Sequence, residues 1–224
     1  RNVDEETVKK IREFIDVNKY NDQIYAEATS TRYYPQESLA SHVIGFTSSD
    51  GSGLYGLELE YDEQLKGTSG KYITARDSHG NEMPYEYQSY VPAKDGDSLV
   101  TTINSYVQSV LEEQLEATLV ESGANNRVTG IVMDVRDGSI LAMATSPSFD
   151  LNDPWTLNEY SQAKLDASGL AADSDEYSAL RKELLLTTWS NKAITEIYMP
   201  GSTFKIMTVS MALEEKLASL TDKF

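Results

Sequence analysis

The chain has 224 residues, 40% hydrophobic and 25% charged, the proportions of an ordinary globular protein long enough for one or two domains. Asp and Glu (36) outweigh Lys and Arg (19) for a formal net charge of -17, which favours solubility and argues against nucleic acid or anionic lipid as a partner of this stretch. With no cysteine and only His42 and His79, it lacks the means for a disulfide scaffold, a thiolate nucleophile or a histidine- or cysteine-rich metal centre.

In chain order, residues 4–16 predict a helix. Asp4 stands at the cap, Glu5 and Glu6 fill the first turn, and Val8, Ile11 and Ile15 share one face. A polar stretch follows to about Tyr33. The Gly- and Ser-rich residues 45–56 predict a loop, Leu57 to Leu65 one or two helical turns, and Gly67 their end. Residues 71–76 predict a strand, 77–82 a turn and Tyr85 to Val91 a second strand; Pro92 to Gly96 marks a boundary. His42 and His79 stand in no recognisable catalytic setting and are expected to be structural or surface residues.

The second half has clearer periodicity. The β-branched run Leu99 to Ile103 predicts a strand. Asn104 is placed to cap a helix to about Glu121, with Val107, Val110, Leu111, Leu115 and Leu119 at helical spacing. Two apolar runs, Val128 to Val135 and Ser139 to Ala144, flank Arg136-Asp137-Gly138 and predict a hairpin. Helical stretches are expected near 157–166 and 173–186. Ile206 to Leu217 is apolar on most faces, the pattern of a helix buried at a domain centre. No run of 18 apolar residues is present, so no membrane-spanning helix is predicted; the chain opens on Arg1, as a processed or excised piece would.

One constellation carries chemistry: Pro200-Gly201-Ser202-Thr203-Phe204-Lys205, directly before that apolar segment. In Ser-x-x-Lys on a helix the lysine lies one turn from the serine and can take its proton, while the helix N-terminus stabilises an oxyanion formed on an attacked carbonyl. A lysine serves as a base only when neutral, and burial is what lowers a lysine from its ordinary pKa of ~10.4. Ser161-Gln162-Ala163-Lys164 fits the same four-residue pattern in a polar setting and is read as coincidence. A helix cap is the competing reading of Ser202.

Asn191 to Lys205 (NKAITEIYMPGSTFK) resembles the active-site entry of the class B penicillin-binding proteins. The likeness extends through Arg32, Tyr34 and Pro35, Ala40 to Gly45, and the glycines, Glu58, Tyr61 and Leu65 between Gly53 and Gly70. It continues through Leu99 to Gln108, where the family usually has Asp at the position of Asn104, and Gly130 to Pro147. It implies an α+β fold: a mixed α/β pedestal, or dimerisation-type, domain over residues 1–95, then the N-terminal part of a penicillin-binding/serine β-lactamase-like transpeptidase domain over 96–224. Arg32 and Glu58 are expected to form a structural ion pair, and the pedestal glycines to serve turns and close packing.

The resemblance further implies a peptidoglycan D,D-transpeptidase with Ser202 as nucleophile and Lys205 as its proton partner, acting on D-Ala-D-Ala stem peptides and acylated by β-lactams, without a metal or organic cofactor. It implies a cell-envelope location outside the cytoplasmic membrane, a single N-terminal anchor not contained in this chain, and a SEDS-family glycosyltransferase as a partner. The family's two further motifs, S-x-N and K-[ST]-G, do not occur in these residues, so the piece by itself is expected to be close to inactive. Two other readings stay open: a serine β-lactamase or D,D-carboxypeptidase, and a non-catalytic pedestal module that regulates a membrane glycan polymerase.

Overall fold

Helix α1 (Glu5–Asn18) carries the predicted stripe, with Ile15 buried and Val8 and Ile11 half-buried, and an exposed Lys10–Glu6 ion pair at 3.0 Å on its other side. The computed structural model describes residues 3, 5–18, 20, 31–68, 70–73, 89–124 and 126–223. Asp4, the predicted turn 77–82 with His79, and residues 85–88 of the second predicted strand lie outside them. The chain divides into two compact units, the first ending at Ala193 and the second running Ile194–Phe224.

The first unit is α+β. Short helices α2 (Ser41–Ile44), α3 (Gly56–Glu60) and α4 (Asp62–Leu65) bracket the Gly- and Ser-rich loop. Strands β1 (Lys71–Ile73) and β2 (Ser89–Val91) pair antiparallel with Tyr72 opposite Tyr90, and a Thr68–Lys94 bridge extends their contact. Helix α5 (Ser105–Ser122) opens at the predicted cap, where Asn104 Oδ1 accepts the Tyr106 and Val107 N–H groups at 3.1 Å each. It packs on an antiparallel hairpin, β3 (Val128–Met133) with β4 (Ile140–Ser146), whose turn is closed by Asp134 N–H to Ser139 O at 2.8 Å. Helices α6 (Glu159–Ala167) and α7 (Asp175–Trp189) are capped by the Asn158 and Ser174 side chains, each satisfying an N–H of the first turn that would otherwise lack a partner, and the single turn α8 (Lys192–Thr195) follows α7.

The predicted strand at Leu99–Ile103 does not form. That segment joins the edge of β4 only at its far end, through Asn104 N–H to Leu141 O (2.8 Å) and Thr102 Oγ1 to Ile140 O (2.7 Å), and Val100 is 93% exposed. β-branched residues favour a pleated surface when neighbours cover them; here one side chain hydroxyl takes the place of a ladder bond.

The core draws on distant parts of the first unit. Tyr34 and Phe46 pack with Phe149, Leu151, Leu157, Leu165, Leu185 and Trp189. Phe46, fully buried, meets Trp189 edge-on at 5.2 Å and stacks on Tyr55 at 5.5 Å. Polar side chains stitch the same junction. The Asn152 amide brackets Tyr34, accepting from its N–H at 3.0 Å and donating to its carbonyl at 2.9 Å. Gln108, with no exposed surface, does the same to Met143 of β4, at 2.9 Å in both directions. Each amide completes backbone groups that no strand reaches, which removes the penalty of burying them unpaired.

The expected Arg32–Glu58 pair is present and bidentate, at 2.8 Å for both contacts, with the Tyr34 hydroxyl donating to the same carboxylate at 3.3 Å. Burial, with the Glu58 charge beside it, pushes the Tyr34 phenol up to about 12. His42 is structural, as expected: it is buried, its Nε2 lies 3.0 Å from Thr188 O, and its ring meets Phe149 edge-on. Burial, reinforced by the nearby Arg127 charge, lowers it to about 4. An unfolded chain takes up this proton near pH 6.5 and the folded one only near pH 4. The stabilising contribution is therefore complete above pH 6.5 and is lost as pH falls to 4, a change of about 3 kcal/mol. Urea unfolding of wild type against His42→Gln across that range is expected to show the difference in stability shrinking as pH falls; a constant difference would remove His42 as its source.

Candidate active site

The second unit contains the motif singled out in the sequence. A 3-10 helix (Gly201–Phe204) runs directly into α9 (Lys205–Glu214). Gly201 takes a φ of 54°, a left-handed value that glycine adopts without steric cost, and Pro200 before it holds φ at -69°. This explains the Pro-Gly lead: the two residues turn the chain into the helical start. Thr203 secures the turn, its N–H at 3.1 Å and its hydroxyl at 2.5 Å both donating to Pro200 O.

Ser202 therefore sits on a 3-10 turn with Lys205 three residues later. Near three residues per turn, positions i and i+3 fall on one side of a helix, so Ser202 and Lys205 share a face across the junction of the two helices. The Lys205 N–H donates to Ser202 O and Thr203 O, locking this register through the backbone. Neither the 3-10 helix nor α9 has a side-chain cap, so the competing reading of Ser202 as a capping residue does not hold. Ser202 is an exposed residue at the start of a helix, where partial positive charge gathers.

The apolar helix predicted after the motif is present but not buried. Ile206 is 70% exposed, and Met207, Val209 and Met211 are each more than half exposed. A helix apolar on all sides needs covering elements on all sides. The described residues of the second unit, 194–223, supply the end of a short helix, one 3-10 turn, a ten-residue helix and a short tail, too little to enclose it. Within the described residues of the second unit, the apolar surroundings expected around Lys205 are accordingly not supplied.

The second Ser-x-x-Lys is put to structural use. Ser161 is buried on α6, its N–H bonded to the Asn158 cap and its hydroxyl 3.1 Å from that of Thr188, while Lys164 lies over the Tyr160 ring at 4.3 Å. Sequence periodicity missed the buried polar residues Gln108, Arg127 and Asn191, and Asn152, which is exposed yet brackets the Tyr34 backbone. An isolated amide or guanidinium among polar neighbours gives no periodic signal, and only the fold shows which backbone groups it serves.

Residues 1–101 match the penicillin-binding protein dimerisation domain and residues 128–224 the penicillin-binding protein transpeptidase domain. The chain is 34% identical over 197 residues to stage V sporulation protein D of Bacillus subtilis strain 168, a match covering 88% of this chain and 26% of that protein. It belongs to the class B penicillin-binding proteins. Penicillin-binding protein PbpB of Mycobacterium tuberculosis is 31% identical over 197 residues, 88% of this chain and 25% of its own length. The probable peptidoglycan D,D-transpeptidase PenA of Neisseria meningitidis serogroup A is 30% identical over 193 residues, 86% of this chain and 28% of its own. The chain thus spans about a quarter of the length of these curated relatives. Among solved structures, penicillin-binding protein 3 of M. tuberculosis in complex with aztreonam superposes with a TM-score of 0.60 at 26% identity, over 90% of this chain and 36% of that one. A peptidoglycan synthetase from Bifidobacterium adolescentis shares the fold, with a TM-score of 0.64 at 24% identity over 89% of this chain and 31% of its own. In this class B chain the transpeptidase match begins at Val128, the first residue of β3, and runs through Ser202 and Lys205.

Proposed function

We propose that the whole protein is a serine D,D-transpeptidase that crosslinks peptidoglycan, with Ser202 as nucleophile and Lys205 as its general base. The observation that carries this reading is an exposed serine that caps neither helix, on a 3-10 turn one turn ahead of a lysine. Ser202 Oγ attacks the carbonyl of the penultimate D-Ala of a stem peptide while its proton passes to Lys205 Nζ. The tetrahedral oxyanion is stabilised by N–H groups of the helix start. The C–N bond to the terminal D-Ala breaks, that amine leaves with a proton, and an acyl-enzyme remains. The amine of a second stem peptide attacks the ester, its proton returns to Ser202, and a new amide crosslink is formed. β-Lactams enter the same first step, which fits the aztreonam and ampicillin complexes of the M. tuberculosis relative.

In this reading residues 1–95 form the pedestal and 96–224 the opening of the transpeptidase domain. The protein works on the outer side of the cytoplasmic membrane, held by an N-terminal anchor, beside a SEDS-family glycosyltransferase. The test gives the intact protein a D-Ala-D-Ala stem peptide and an amine acceptor, and follows D-Ala release and acceptor coupling. Coupled product is expected. D-Ala release with water alone as acceptor would make it a carboxypeptidase, and neither product would leave the pedestal's binding role as the function.

A further inference from the structure

The segment that carries the nucleophile leaves the first unit just after α7, and the residues there are held by buried polar groups from elsewhere in that unit. Arg127, 6% exposed and one residue ahead of β3, reaches the end of α7 with two prongs. Its Nη1 donates to Ser190 O at 2.6 Å and its Nη2 to Ser190 Oγ at 3.1 Å. Ser190 Oγ in turn donates to Thr187 O at 3.1 Å, tying the fork back into the helix. The next residue, Asn191, is 8% exposed. Its Oδ1 accepts the Ala193 N–H at 3.1 Å, and its Nδ2 faces Met143 Sδ of β4 at 3.3 Å and His42 O of α2 at 3.4 Å. Thus α2, the sheet and the segment before β3 all converge on two consecutive residues, Ser190 and Asn191.

A buried guanidinium is costly to desolvate, and a fixed fork onto one residue repays that cost only by holding geometry. A helix C-terminus has carbonyls without intrahelical partners, and the Arg127 fork satisfies one of them. We propose that Arg127 and Asn191 are positioning residues: together they lock the root of the nucleophile segment without touching the reacting atoms. Arg127 lies outside the stretch matched to the transpeptidase domain, and α2, the source of the His42 carbonyl, lies within the dimerisation-domain match, so the lock joins both parts of the chain. The expected kinetic consequence rests on Ser202 being the nucleophile; the lock itself does not.

The test measures acylation of the intact protein by a fluorescent penicillin across concentrations, separating the limiting rate from the half-saturating concentration. Arg127→Ala and Asn191→Ala are expected to lower the limiting rate about ten- to a hundredfold, the scale of a misplaced reacting group, with half-saturation close to wild type. Arg127→Lys, which keeps the charge and loses the fork, is expected to fall in the same direction. Asn152→Ala serves as the control: it removes two hydrogen bonds from the same unit, at Tyr34, and should lower stability while leaving the limiting rate alone. Wild-type limiting rates in the Arg127 and Asn191 variants, or an equal loss in Asn152→Ala, would overturn the inference. Hydrogen exchange at residues 190–195 reads the lock without chemistry. Faster exchange confined there in the Arg127→Lys and Asn191→Ala variants supports it, and unchanged exchange overturns it. A wild-type protein that is never acylated would instead sink the transpeptidase reading and leave the exchange result standing.

Discussion

Intact mass spectrometry is expected to show one benzylpenicillin acyl group on the full-length protein, none on its Ser202→Ala variant, and full labelling of Ser161→Ala. The contrast between the two serines is physical. Both open a Ser-x-x-Lys, but the Ser161 hydroxyl is buried against Thr188, whereas Ser202 stands exposed at a helix start. Lys205 then separates two roles. If it removes the Ser202 proton, Lys205→Ala should slow acylation by about 10²–10⁴-fold, the contribution of a positioned general base. Lys205→Arg should be as slow, because a guanidinium stays protonated and accepts no proton. Near-normal acylation of Lys205→Arg would show that positive charge beside Ser202 suffices and that the proton goes elsewhere. An adduct surviving in Ser202→Ala would move the nucleophile to another residue altogether.

Much of this arrangement was legible in the sequence because local rules decide it. Asn104 before an apolar-periodic stretch, and Arg136-Asp137-Gly138 between two apolar runs, specify a capped helix and a hairpin whatever the rest of the chain does. The Arg32–Glu58 pair, twenty-six residues apart, was readable only through resemblance to a family, since nothing local joins the two. Two expectations failed for one reason. Leu99–Ile103 is β-branched enough for a strand and the helix after Ser202 apolar enough for an interior, yet a side chain's preference does not create the neighbour that would satisfy it. Gln108, Arg127, Asn152 and Asn191 were invisible for the opposite reason. Their roles depend on backbone groups brought to them by the fold, and their residue types usually mark a surface.

Gly45→Ala is expected to abolish the folded first unit, while Gly51→Ala, six residues on in the same Gly- and Ser-rich loop, should be tolerated. Both glycines have left-handed backbones, φ 73° and 84°, so each substitution carries about 1–2 kcal/mol of local strain. They differ in what a methyl group would meet. At Gly51 nothing lies within 4 Å, whereas at Gly45 the new carbon would fall 1.8 Å from the Tyr55 carbonyl oxygen and 2.7 Å from Gly56 N. No rotamer relieves a clash with backbone, so the chain around Tyr55 has to move. Tyr55 stacks on Phe46 and packs against Trp189 at 5.3 Å, and its displacement therefore opens the aromatic core. The sum exceeds about 4 kcal/mol, a large part of the ~5–15 kcal/mol that holds a folded domain. Thermal unfolding should show Gly51→Ala lowered by about 2–8 °C, at roughly 2–4 °C per kcal/mol for a chain of this size, and Gly45→Ala without a cooperative transition. Similar melting of the two would mean that the loop shifts freely about Gly45, and the close approach of residues 45 and 55 would then not be what fixes the pedestal segment on the core.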